Sequence, residues 1–176
     1  MSSDALPFAD LDKVFPDQEG KPKPLQMPGS GGIKLRVLIG DDDPVHTLTL
    51  FHCLAQAGYE VVVTEMGTDA IAELRKADHP PVAILGWKLP GMNGREICAR
   101  MRDVGKNIYL ILTGENPTTP EIVAGLESGA DLYLPKSIPP EEMLAHVKVG
   151  VRIISRQQAL AQKIGELAAD QLPPED

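Results

Sequence analysis

Apolar positions along this chain alternate between two spacings. Short runs rich in Val, Ile and Leu, over residues 35–39, 60–64, 82–85, 108–112 and 131–134, have strand length and close on glycine, proline or polar residues. Between them the apolar residues fall three and four apart. Leu48, Leu50, Phe51 and Leu54 lie between Pro44 and Gly58, and Pro44 suits the first position of a helix. Ala70, Ile71 and Leu74 mark a helix over 68–77, and Ile97, Cys98 and Met101 mark another over 94–102. Residues 120–126 give a helical turn or two, closed near Gly129. Pro139-Pro140-Glu141-Glu142 then opens a long helix, with proline at its start and acids in its first turn, where they face the positive end of the helix dipole. Strands alternating with helices in this way predict an α/β fold: a parallel sheet with right-handed crossovers and helices on both faces.

Sites in such a sheet form beyond the carboxyl ends of the strands, near the switch in strand order. Asp41, Asp42 and Asp43 follow the first strand, Gly86-Trp87-Lys88 the third, Thr113-Gly114 the fourth and Pro135-Lys136-Ser137 the fifth. Adjacent carboxylates repel unless a cation shares them, so the group suits a hard divalent ion such as Mg²⁺ together with Lys136. A hydroxyl and an ammonium beside a metal suit the oxygens of a phosphoryl group. The nucleophile that would hold such a group covalently is missing, because the third strand ends in glycine.

Five blocks carry a family resemblance: VLIGDDDP, GYEVVVTEMGTDAI, VAILGWKLPGMNG, YLILTGE and GADLYLPKSIPPEEM, in order over about two-thirds of the chain. Together they resemble the receiver domain of bacterial two-component response regulators. The resemblance implies a five-stranded parallel sheet of flavodoxin-like, receiver-type order 2-1-3-4-5. It implies that Asp41 and Asp42 stand at the Mg²⁺-binding acid pair, Thr113 at the switch hydroxyl, Lys136 at the phosphoryl-contacting lysine and Tyr133 at the aromatic rotamer switch. Two departures follow. The family's phospho-accepting aspartate falls on Gly86 in Gly86-Trp87-Lys88-Leu89-Pro90, and no Asp or Glu lies between Asp78 and Glu96 to replace it. That aspartate is also a metal ligand, so the Mg²⁺ site of Asp41 and Asp42 is weakened or absent and no cofactor is required. Ser137 stands where the family has proline after the lysine. A cis bond to serine costs about 3 kcal/mol, so a trans bond is expected.

Outside these blocks the composition changes the picture at the ends. Residues 1–33 hold nine of the sixteen glycines and sixteen prolines taken together, and KPKPLQMPGSGG reads as a flexible linker. Phe8, Leu11 and Phe15 within this tail give either a short docking element or solvated residues. The domain proper covers 34–150. A helical extension covers 151–172, where Ile153, Leu160, Ile164 and Leu167 recur at heptad-like spacing with a polar gap at Gln157. That pattern fits a dimerising helix, or an amphipathic helix packed on its own domain. Residues 173–176, starting at Pro173-Pro174, form a tail.

The net charge of −8 argues against nonspecific nucleic-acid binding. No apolar run spans a membrane, and no basic-then-apolar leader opens the chain. Cys53 and Cys98 are too few for a disulfide framework and read as buried thiols of a cytoplasmic protein. His46, His52, His79 and His146 are scattered and read as solvated or packing residues, and Trp87 as a half-exposed edge residue.

The expected function is that of a pseudo-receiver, not an enzyme. It would act by phosphorylation-independent contact with a histidine kinase or downstream effector, through the face around Tyr133 and Trp87, with an Asp41–Lys136 ion pair replacing the phosphate-mediated link. The alternatives are a haloacid-dehalogenase-like phosphoryl enzyme using Asp41 as nucleophile, or a receiver phosphorylated at a non-standard residue.

Overall fold

A computed structural model describes residues 35–170. Strands β1 (Arg36–Gly40), β2 (Glu60–Thr64), β3 (Val82–Gly86), β4 (Tyr109–Gly114) and β5 (Leu132–Pro135) alternate with helices α1 (Pro44–Gln56), α2 (Gly67–Arg75), α3 (Gly94–Asp103), α4 (Thr119–Glu127) and α5 (Pro140–Asp170). The sheet is parallel throughout, in the order β2-β1-β3-β4-β5. The N-terminal tail and the tail from Pro173 lie outside the described residues.

The inner strands alternate their side chains between two cores, as a period of two requires. Val37, Ile39, Val82, Ile84 and Ile111 join Leu50 and Leu54 of α1 and Met143, Val147, Val151 and Ile154 of α5 on one face. Leu38, Ala83, Leu85, Leu110 and Leu112 join Ala70, Ile71 and Leu74 of α2 and Ile97, Cys98 and Met101 of α3 on the other. Because β1, β3 and β4 are buried on both faces, they read as continuous apolar runs.

Local chemistry fixes the helix starts. The Asp43 side chain caps α1, accepting from the amides of Val45 (2.9 Å) and His46 (3.3 Å), with Pro44 at the first helical position. Asn93 caps α3 through the Glu96 amide, and Thr118 with Glu121 forms a reciprocal capping box on α4. The strands run further than the apolar runs suggest. Gly86 and Thr113 are themselves in the ladder, paired with each other, because β3 and β4 keep their register to the sheet's edge.

Helix α5 has two parts. Up to Ile154 it packs on the sheet, with Ile153 half-buried against the same core. From Arg156 to Asp170 every residue is exposed. Over that stretch the helix therefore does not pack on its own domain.

Arg102, in the last turn of α3, bridges two loops at the sheet's opposite end. Its Nε donates to the Gly129 carbonyl (2.8 Å), one Nη to the Ile108 carbonyl (2.9 Å) and the other to Asp131 Oδ2 (2.7 Å). The same Asp131 oxygen accepts from the Leu110 amide at 2.8 Å. Charged hydrogen bonds of this kind contribute about 1.5–3 kcal/mol. Arg102→Ala is therefore expected to lower unfolding free energy by about 2 kcal/mol, read as a lower urea midpoint with unchanged slope.

Candidate functional site

Strand register brings the ends of β1, β3, β4 and β5 to one edge. The Asp41 amide donates to the Thr64 carbonyl (3.0 Å), the Trp87 amide to the Thr113 carbonyl (2.7 Å) and the Lys136 amide to the Gly114 carbonyl (2.8 Å). These bonds carry the sheet pairing one residue into the loops and so fix where each side chain starts.

Asp41 is the centre of the edge. It is 2% exposed, and both its oxygens are engaged. Oδ1 accepts from Lys136 Nζ at 2.7 Å and from the Asp43 amide at 2.9 Å, and Oδ2 accepts from His46 Nδ1 at 2.7 Å. Burial pushes the carboxyl up. The hydrogen bonds from His46, Lys136 and the Asp43 amide, with the Lys136 charge, outweigh it and hold the group below its ordinary value of 3.8. Asp41 therefore stays ionised and the ammonium sits directly on it.

The other sequence-derived residues are placed differently. Asp42 is exposed and makes no ion pair among the described residues. Asp43 serves the helix as its cap. Thr113 is fully buried, and its hydroxyl turns back to the Leu85 carbonyl at 3.4 Å. Tyr133 is 7% exposed and folded inward. Its ring occupies a slot that only glycine leaves open: a Cβ at Gly114 would lie 2.7 Å from its hydroxyl, and one at Gly125 of α4 would lie 2.7 Å from its Cδ2. Burial, with Glu121 nearby, pushes the phenol up to about 12. Half-buried Trp87 packs on it with ring centroids 5.5 Å apart. Between these groups a cleft of about 400 Å³ opens, lined among others by Asp42, Trp87, Lys88, Thr113, Tyr133 and Lys136. The Lys136–Ser137 bond is trans, as are all peptide bonds among the described residues. Cys98 is buried, and its thiol is pushed up to about 12 by that burial; Cys53 is only half-buried.

His46 is the residue that sequence reasoning missed. It was expected to be solvated or merely packed, yet its ring meets Asp41. The signal lay in Asp43-Pro44: a cap followed by proline at the first helical position puts residue 46 in the first turn of α1, beside the end of β1.

At β3 the edge offers no side chain. A Cβ built on Gly86 would meet the Gly40 carbonyl oxygen at 3.5 Å and Asp41 Oδ1 at 3.8 Å, which is ordinary contact, so the position is open rather than filled. A hard divalent cation prefers six or more oxygen ligands, with carboxylates to offset its charge. Here one carboxylate is spent on internal donors, a second is exposed, and the third position has none. Among the described residues no group of three or more His, Cys, Asp or Glu is arranged to hold a metal. The donor set does not fit Mg²⁺ as it stands.

A family model described as response regulator receiver domain matches residues 37–148. The chain is 30% identical over 141 residues to response regulator MprA of Mycobacterium tuberculosis, covering 78% of this chain and 61% of that protein. It is 33% identical over 138 residues to the DNA-binding response regulator MtrA of Mycolicibacterium smegmatis, covering 78% and 60%. The chain thus spans about three-fifths of the length of these curated relatives. Among solved structures, chemotaxis protein CheY4 of Vibrio cholerae superposes with a TM-score of 0.60 at 26% identity, over 66% of this chain and 98% of that one. A CheY-like receiver domain protein of Methanospirillum hungatei gives 0.66 at 24% identity, over 71% and 99%, which supports the fold alone.

Removing the ammonium should leave a buried carboxylate short of a partner. Lys136→Met is expected to destabilise the fold by roughly 3 kcal/mol at neutral pH, measured by urea unfolding. The sign of the pH dependence follows from the lowered Asp41 value. In the parent its contribution is complete above the ordinary carboxylate range and is lost only as pH falls through the lowered folded value. In Lys136→Met the folded value rises, so acid unfolding should begin at a higher pH than in the parent.

Proposed function

Because the chain belongs to the response regulator receiver domain family of two-component signalling, we propose that it serves there as a pseudo-receiver, working by protein contact without being phosphorylated. The observation that carries this reading is Gly86. It stands at the end of β3, next to Asp41 and paired with Thr113, where a phospho-accepting carboxylate would have to stand. A hydrogen atom cannot take a phosphoryl group, and no acidic residue between Asp78 and Glu96 takes its place.

The surrounding contacts support the same reading. Lys136 lies directly on Asp41, the arrangement an internal ion pair needs in order to hold one conformation without modification. Tyr133 is turned in and pinned by Trp87 and the two glycines. A partner would then meet the face made by α4, β5 and α5. Val123 and Leu126 of α4 are exposed there at 47% and 43%, an apolar pair suited to a protein surface. The partner class is a histidine kinase or a downstream effector. Mg²⁺ is not required, and Asp41 with Asp42 forms at most a weakened site for it.

Phosphoryl-enzyme chemistry at Asp41 is disfavoured by the same geometry: a nucleophile must reach its substrate, whereas Asp41 is buried with both oxygens bonded. DNA contact is not part of this reading. One relative is named DNA-binding, but the chain spans 60% of it, and its own charge is −8. No helix among the described residues is long and apolar enough to cross a membrane.

Incubation with acetyl phosphate and Mg²⁺, followed by intact mass, tests the proposal. The chain is expected to keep its mass, and a phosphoryl adduct on it would overturn the reading. In Gly86→Asp the new Cβ makes only ordinary contacts, 3.5 Å from the Gly40 carbonyl oxygen and 3.8 Å from Asp41 Oδ1. The variant is expected to gain one phosphoryl group under the same conditions. Without Mg²⁺ the new carboxylate stands against Asp41, so this variant should also melt lower than the parent and recover when Mg²⁺ is added.

A further inference from the structure

The exposed end of α5 carries an apolar stripe that the receiver reading does not use. Leu160, Ile164 and Leu167 are 62%, 66% and 61% exposed. With Gln157 they fall three, four and three residues apart, on one side of a helix in which every residue from 156 to 170 faces solvent. A helix of that length with no tertiary support is marginal in water, and Gly165 weakens it further. The Gln162–Glu166 hydrogen bond (3.0 Å) joins two residues that lie off the stripe and stabilises the helix without covering it.

We propose that this stripe pairs with the same stripe of a second copy, in a parallel, in-register coiled coil running from Gln157 to Leu167. Three observations select this occupant. Isoleucine at one seam position and leucine at the other favour two parallel strands. Only the parallel register sets the Gln157 amide against its counterpart, where each can donate to and accept from the other; an antiparallel pair would press it against the leucine at 167. The segment carries one basic and one acidic residue, Lys163 and Glu166, so two copies approach it without net repulsion although the whole chain is acidic.

Three exposed side chains per copy bury well under the roughly 1,200 Å² of a standard stable interface. The pair is therefore weak and concentration-dependent. It forms where the chain is held at high local concentration, and it sets two receiver-like domains side by side at the same end of the coil.

The test is sedimentation equilibrium of the full chain from about 5 to about 500 µM. Reversible dimerisation is expected. Ile164→Glu should weaken it at least tenfold and Gln157→Leu should tighten it at least tenfold. Neither should move the thermal midpoint of the dilute protein, since both positions are exposed. Register is read from disulfides between Gln157→Cys and Leu167→Cys chains mixed in a Cys53→Ser background. Like positions should cross-link with each other. A monomer throughout the range, a dimer indifferent to Ile164→Glu, or cross-links between 157 and 167 would each overturn the proposal.

Discussion

A carboxylate taken almost wholly out of water costs several kcal/mol unless donors replace its hydration. Asp41 meets that requirement with three donors from three places: the amide of Asp43 in the loop after β1, the imidazole of His46 in α1 and the ammonium of Lys136 after β5. One buried charge thereby joins the first strand to the last, across the ends of the two strands between them. The sheet places Lys136, and this bond ties its side chain, and with it the loop into α5, to the end of β1. The bond also bears on Gly86. An acidic side chain there would stand beside Asp41 and compete for Lys136, whereas glycine leaves the pair undisturbed.

Much of this architecture is legible from the spacing of apolar residues alone. Strands buried on both faces cannot be mistaken for surface helices when each is five or six residues long and bounded by glycine or proline. The strand order is not contained in that spacing and comes through resemblance. At the site, the sequence places Asp41, Gly86, Thr113, Tyr133 and Lys136 at the right edge, since each stands at the end of a strand. It does not show which way they turn. Thr113 points back to Leu85, and Asp42, adjacent to the buried Asp41, is exposed because successive residues leaving a strand face opposite ways. His46 escapes because its role depends on the first turn of α1 folding back over β1, a tertiary contact between residues five apart. The slot for Tyr133 escapes for a similar reason: two glycines on different elements, β4 and α4, matter only through the space they leave.

The aromatic pair and the ion pair act on neighbouring parts of one surface. Lys136 follows Tyr133 by three residues, so the bond to Asp41 fixes the end of the strand that carries the ring. Trp87 begins the loop left without a carboxylate, and it lies on that ring. The end of β3, the end of β5 and the inner side of α4 are therefore coupled by contact. The outer side of α4, with Val123 and Leu126, is left to the solvent.

Helix α5 is continuous from the core to its exposed end, with no break where the packing stops. From Ile154, its last buried residue, to Asp170 it extends about 24 Å. It is therefore a lever with its fulcrum in the hydrophobic core. A tilt of about 10° at the sheet displaces the far end by about 4 Å, roughly three-quarters of the rise of a helical turn. A change in how the helix seats on the sheet is thereby enlarged to the scale of a side chain at the distal end. The reach of the helix, not the chemistry of the site, sets that gain.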